Sequence, residues 1–316
     1  MIEMLSRAVA VFALMLWPVA AIAQGENSRN IEIVVPYPAG GVTDLTARAL
    51  ADGLSKLMGR AVVVINKDGA AGTIGTAAVT IAPADGYTLG FSAMGTITGQ
   101  PHLRNDLRYN AASFDYVCQV TATVTAIVVP EDSPHRSLKE MFDQARLAPD
   151  KLTYGHPGPG SIPHLQMIDL SSRAGVSLTA VPFRGDAPAR NALMGKHIDM
   201  LMSGDAGAVG NLRALAVIAR DRMPSLPNVP TTQELGLGEG FVTPFGLFAA
   251  KGVPADVLSR LRSACAETVK SANFAAVMTK SGQTIHYLDG PAFADRIAQD
   301  SRIIGDLVSK MPALKN

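Results

Sequence analysis

Residues 31–58 read IEIVVPYPAGGVTDLTARALADGLSKLM. Ile31–Val35 is a short apolar run of the kind that is buried on both faces of a parallel sheet. Pro36, Pro38, Gly40 and Gly41 break it with a turn. From Leu45 onward Leu45, Ala49, Leu50, Leu54, Leu57 and Met58 recur at helical spacing. The same order repeats at once: Ala61–Ile65 (AVVVI), a glycine-bearing loop, a small-residue helix to about Ala82, then Tyr87–Ser92 (YTLGFS). Strands joined by helical crossovers pair in parallel, so this stretch sets an α/β fold. Both loops then leave the same carboxyl edge of one sheet, where ligands bind in open α/β folds.

Outward from this segment the alternation continues. Val117–Val129 (VCQVTATVTAIVV) is a long β-rich stretch that could carry the chain from one lobe into another. Ser137–Arg146 reads as helix and Lys151–Gly155 as strand. After the loop HPGPGSIPH comes a helix to about Ala174. Ser177–Phe183 reads as strand, RGDAPA as loop and Arg190–Gly195 as the end of a short helix. Ile198–Met202 and Ala214–Ala219 are further strands. Thr231 and Glu234 have capping-box spacing for a short helix. Phe245–Ala250 and Thr284–Leu288 read as strands; Pro254–Ser271, Asn273–Lys280 and Pro291–Lys310 read as helices. The layout fits two lobes joined by extended segments near 118–129 and 240–247.

Composition limits the function. The 316 residues carry 28 Lys+Arg against 27 Asp+Glu, so there is no basic excess for a nucleic acid. Hydrophobic residues at 47% with a net charge of +1 exclude a disordered chain. Residues 1–23 read as a cleaved signal peptide: Arg7, an apolar run from Ala8 to Ala21, and Ala21-Ile22-Ala23 as the cleavage site. The run is too short for a membrane span and contains Pro18. There is no twin-Arg and no cysteine at the cut, so general secretion of an unanchored protein is expected, to the periplasm of a Gram-negative cell. Cys118 and Cys265 are the only cysteines. An exported compartment permits a disulfide between them. The simpler reading is two small buried side chains, because spacing alone supplies no geometry.

Five segments could carry chemistry. In Pro38–Asp44 two glycines precede a helix whose N-terminus would offer free N–H groups to an anion, with Thr43 or Asp44 as its cap. No Lys follows the glycines, so this is not a nucleotide phosphate loop. Asn66–Gly75 is a second such loop; its glycines are spaced GxxGxxG and not as in a dinucleotide site. Gly155–His164 is a third, where Ser161 reads as an N-cap and ligand contact. Ser161 and His164 are also the only foothold for an enzyme, but i and i+3 on one turn is poor geometry for a nucleophile and base, and no orienting acid is in sight. Arg184 in FRGDAP could fork onto a carboxylate. Met202–Asp205 closes another strand at the same kind of edge. The six histidines show no metal-ligand spacing and nothing calls for a cofactor.

The fragments VPYPAGGVTDLTAR, VVVINKDGAAGTIG, APADGYTLGF, KLTYGHPGPGSIPH, VPFRGDAPARNALMGKHIDM, LRALAV and LPNVPTTQELG, in this order, resemble the substrate-binding proteins of tripartite tricarboxylate transporters, also called Bug-family receptors. The likeness runs from Ile31 to about Lys310. It implies a type II periplasmic-binding-protein fold of two α/β lobes closing on a small carboxylate, with residues 24–122 and 244–316 in lobe I and 123–243 in lobe II. It implies a monomer that works without a cofactor and hands its ligand to membrane transporter subunits; a sensor presenting its closed form to a signalling partner is the alternative. Carried onto this chain, the first-lobe site residues are Ala39, Gly40, Gly41, Thr43, Asp44, Ala71, Gly72, Thr73 and Thr96. The second lobe supplies Gly160, Ser161, Arg184, Gly185 and Asp205, which would set specificity. Three positions depart from the family: Phe183 stands where Tyr is common, Phe245 where Trp is frequent, and Arg184 where Lys or another residue is usual. The first removes a hydroxyl that could reach ligand or water, so the ligand cannot be copied from a relative.

Overall fold

The computed structural model describes residues 29–203, 212–223, 225–238 and 240–309. The leader at 1–23 and Asp205 lie outside the described residues.

Parallel pairing of the first three strands is observed. β1 (Ile31–Val35) lies between β2 (Val62–Asn66) and β3 (Thr88–Ala93), parallel to both. The sheet does not stay parallel, however. β10 (Thr243–Ala250) joins antiparallel beside β3, followed by β4 (Phe114–Thr123) and β11 (Ile285–Asp289), giving the order β11-β4-β10-β3-β1-β2. The long run at 117–129 is two strands. β4 belongs to this first sheet, and β5 (Ala126–Pro130) belongs to a second. In that second sheet, β6 (Thr153–His156) is parallel to β7 (Thr179–Pro182) and β8 (Met200–Ser203), and β5 is antiparallel to β8 and β9 (Leu212–Val217).

Helices cover both sheets. α1 (Val42–Met58) starts three residues earlier than the periodicity suggests. Its cap is Gly41, which uses backbone alone, and not Thr43 or Asp44. Leu50, Ala51 and Leu54 enter the core, but Leu45 and Leu57 are 42% and 53% exposed. The buried stripe runs through Thr46, Ala47, Leu50 and Leu54, at the i, i+4 steps of one face. A short 3₁₀ turn, Ala70–Gly72, precedes α2 (Thr73–Thr80). Two short helices follow β3: α3 (Gly95–Thr98) and α4 (Gln100–Leu103).

α5 (Leu138–Leu147) is capped by Ser137 and α6 (Ile162–Ala174) by Ser161. α7 (Asp186–Met194) begins inside the stretch read as the RGDAPA loop. Pro188 sits in its first turn, where proline costs no hydrogen bond. Thr231 and Glu234 make both bonds of a capping box, at 3.0 Å each, yet the segment after them stays a turn. α8 (Ala255–Lys270), α9 (Ala272–Lys280) and α10 (Gly290–Ser309) return to the first sheet.

The cysteines, for which buried thiols were the simpler expectation, form a disulfide that links β4 to α8 with Cα atoms 6.6 Å apart. Both sit in the fully buried core of the first sheet. The bond closes a loop of 147 residues that contains the whole second sheet. A loop of that size restricts the unfolded chain strongly. Cys118→Ala/Cys265→Ala is expected to cost about 2–5 kcal/mol of unfolding free energy, read as a lower urea midpoint. An unchanged midpoint would show that the link adds no stability.

Candidate functional site

The chain passes from the first sheet to the second between β4 and β5, and returns between β9 and β10. A cleft lies along this line of crossing, with Thr123, Thr125, Thr243 and Phe245 among its lining residues. The space between its walls is about 780 Å³, the open mouth included. One wall comes from the first sheet's loops and the other from the second's.

On the first wall, Gly41, Val42 and Thr43 bring the start of α1 to the cleft, joined by Tyr37, Ala71 and Thr96. The first N–H groups of a helix lack intrahelical partners and carry partial positive charge. Asp44, 2% exposed, stays beneath this loop. It accepts from Gly40 N at 3.0 Å, Asn66 Nδ2 at 2.9 Å and Arg48 Nε at 2.9 Å. Burial alone would raise its pKa, but the bonds from Arg48, Gly40 and Asn66 outweigh that and hold the carboxyl below its usual range. Asp44 therefore acts as a clamp on the loop. Ala39 and Gly40 are exposed away from the cleft. Gly72 packs behind it, with no room for a Cβ beside Thr96 and the Tyr37 ring. Thr73 spends its hydroxyl on Ala70 O at 2.9 Å. Positive φ in the second loop is carried partly by alanines, Ala70 at 46° and Ala71 at 54°.

On the second wall, Ser161, Ile162 and Pro163 present the start of α6, and Arg184 to Pro188 present the start of α7. Ser161 Oγ accepts from His164 N at 3.4 Å, and His164 Nδ1 accepts from Gly160 N at 2.9 Å. The two side chains thus serve the loop separately, and no Ser–His hydrogen bond forms between them. Gly160 faces Gln100 and Leu103 instead of the cleft. Tyr37, Gln100, Asp186 and the three threonines of the floor line the cleft without having been singled out. A helix start at Asp186 was readable from Pro188, whereas Gln100 was not, because it sits in a short helix with no periodic signal.

Beneath the second wall, His156 and His164 stack with ring centroids 4.1 Å apart. Burial pushes His156 down to about 4, against a hydrogen bond with Gly158 that opposes the shift. Burial and then the neighbouring His156 push His164 down to about 3. Both are neutral near pH 7, which lets His164 accept the Gly160 bond. The walls meet beyond the cleft: Gln100 Nε2 donates to Pro159 O at 2.5 Å, and Gly95 and Gly99 lie against Ile162 and Gly160.

A pair of α/β lobes whose helix N-termini converge on a cleft between them is the architecture of a solute-binding receptor. Residues 46–312 match the family described as tripartite tricarboxylate transporter family receptor. A protein of Cupriavidus necator from that organism's gbd 5′ region is 31% identical over 98% of this chain and 96% of its own length. Among solved structures, the periplasmic binding protein BugD superposes with a TM-score of 0.84 at 31% identity, covering 91% of this chain and 99% of its own. MatC from Rhodopseudomonas palustris, solved with bound malate, gives 0.81 at 28% identity over 89% and 99%. The chain belongs to the tripartite tricarboxylate transporter receptor family and is a solute-binding protein of the Bug type.

The histidine pair makes a prediction about pH. In the unfolded chain each histidine takes a proton near 6.5, while the folded pair holds out to about 4 and about 3. The unfolded state then binds more protons across that window, so the pair's contribution is intact above 6.5 and is lost as pH falls toward 4. Asp186 acts in the opposite sense, since burial lifts it to about 6 despite the nearby Arg190 charge. His164→Asn keeps an acceptor for Gly160 N and removes one titrating ring. Its unfolding free energy should therefore fall less steeply between pH 6.5 and 4, by about 1.4 kcal/mol per pH unit. Equal slopes in urea titrations would show that His164 titrates normally.

Proposed function

We propose that the protein is exported through residues 1–23, binds a small carboxylate in the cleft, and delivers it to a tripartite tricarboxylate-type membrane transporter. The observation that carries this reading is the convergence of the α1, α6 and α7 N-termini on one cleft that also holds Arg184. Backbone N–H groups and a guanidinium together suit a carboxylate. The malate in MatC, a relative of the same fold, agrees with that chemistry. Of the residues carried over from the family, Gly41, Thr43, Ala71, Thr96, Ser161, Arg184 and Gly185 line the cleft and form the proposed binding set. Asp44, Gly72, Thr73 and Gly160 support it from behind. We divide the chain at the crossings, with 24–122 and 244–316 in one lobe and 123–243 in the other. Among the described residues no helix is long and apolar enough to cross a membrane.

A thermal-shift screen of mono- and dicarboxylates, amino acids and aromatic acids tests the reading. A true ligand at one hundred times its Kd adds about 2.7 kcal/mol and raises Tm. Arg184→Ala should reduce that shift without changing the unliganded Tm. A broad screen in which no small acid moves the melting point would leave the carboxylate reading without support.

Closure makes a separate prediction. A Cβ at Gly99 would stand 3.0 Å from Gly160 O on the opposite wall. Gly99→Leu should therefore prop the walls apart and weaken ligand binding at least tenfold by calorimetry, with the unliganded fold kept. Unchanged affinity would show that the walls need not meet for binding.

A further inference from the structure

Among the described residues, the cleft is lined by two charged side chains, Arg184 and Asp186. The first complements the helix N-termini opposite. The second does not: a carboxylate in a site built for anions repels them. Its carboxylate does not cap α7. The cap is Gly185, and no side-chain cap hydrogen bond is made there. Asp186 Oδ1 is buried and has no hydrogen-bond partner. The charge of Arg190, one turn further along α7, acts on Asp186, but Arg190 does not line the cleft. Tyr37, which also lines the cleft, has its phenol pKa driven up by burial and then by the Asp186 charge, against a hydrogen bond with Ser92.

Ten buried side-chain atoms among the described residues lack a hydrogen-bond partner, and of the residues that carry them Asp186 and Thr243 line the cleft, where a ligand could bring a donor. The donor that also balances the charge is an ammonium, with three N–H groups and no lone pair to clash. A hydroxyl would supply one proton and bring no opposite charge to Asp186 from the cleft side. The cleft therefore has a positive end, made of helix N-termini and Arg184, and a negative point at Asp186. Thr243, whose Oγ1 is also buried without a partner, lines the floor of the same cleft.

We propose that the ligand of this cleft is an amino-carboxylate, with its carboxylate held by the helix N-termini and its protonated amine by Asp186. This deepens the carboxylate-receptor reading above and rests on it.

The test is calorimetry on matched sets that differ at one group: succinate, malate and aspartate; glutarate, 2-hydroxyglutarate and glutamate; propionate and β-alanine. The amine-bearing member of at least one set should bind ten times or more tighter than its plain and hydroxylated counterparts. Asp186→Asn and Asp186→Ser should each remove that preference, lowering amine affinity tenfold or more and leaving plain-acid affinity equal or higher. Removing a desolvated carboxylate leaves the unliganded Tm equal or raised, so loss of binding would not reflect loss of fold. If plain acids bind as well as or better than their amines, or if both variants keep the amine preference, the inference is overturned while the carboxylate receptor stands. If no member of any set binds, both readings fall together.

Discussion

The pairing of β4 with β10 is the constraint on which the arrangement depends. These strands run antiparallel from Thr243 opposite Thr123 to Ala250 opposite Phe114. One is the last strand before the chain leaves the first sheet, and the other is the first strand after it returns. Their hydrogen bonds therefore place both crossings side by side at one end of a single ladder. The second sheet can bend about these adjacent segments without breaking the ladder, which is the geometry of a hinge. It also explains where the cleft lies. Thr123, Thr125 and Thr243 reach its floor because the crossings do. The disulfide fixes β4 to α8 within the buried core of the first sheet, so the ladder is anchored covalently there.

A chain with a net charge of +1 can still present a strongly directed field. Parallel strands release their helices at one edge, and each helix begins there with unpaired N–H groups. Two sheets facing each other across a hinge bring three such starts together, α1, α6 and α7. The field is local and needs little net charge. It depends instead on loops being held still, and most of the polar bonds nearby serve that end. Asp44 ties Gly40 to Asn66 and Arg48, and His164 accepts from Gly160 while Ser161 caps the same turn. These side chains serve the site by positioning backbone, which is why several residues expected to touch ligand stand behind it.

Much of this was legible locally. The first five elements, their parallel order and the glycine loops at helix starts follow from runs, breaks and periodicity within about thirty residues. The Ser161 cap followed from one residue at the right place. What was not legible depended on partners distant in sequence. Ala49, Leu50 and Leu54 of the helical period are buried as read, but Leu45 and Leu57 fit the same period and are exposed, and only the packing shows where the buried stripe ends. The run 117–129 reads as a continuous β-rich stretch that could pass between lobes, but the break at 124–125 has no local sign; it exists because the two halves pair in different sheets. The bridge from Cys118 to Cys265 spans 147 residues and had no local sign. The capping box at Thr231 shows the reverse: its two bonds form as read, yet a box does not supply the buried face a helix needs.

Asp186 was hidden for a related reason. Read as part of a loop, it is an ordinary solvated acid; placed in the first turn of α7 it lines a cleft with Oδ1 out of reach of water. An unpaired buried acceptor costs about 1–3 kcal/mol, and more when charged. A fold that only had to be stable would replace Asp186 by a neutral residue, just as it would give Thr243 Oγ1 a partner. Keeping both unsatisfied makes sense where a ligand completes them, because the free energy withheld from folding then returns on binding. It also sharpens selection: a ligand that cannot donate to Asp186 leaves the penalty in place, and closure around it gains less. Specificity of this kind comes from what the cleft lacks when it is empty, and the neutral threonines of its floor could not supply it without the charge.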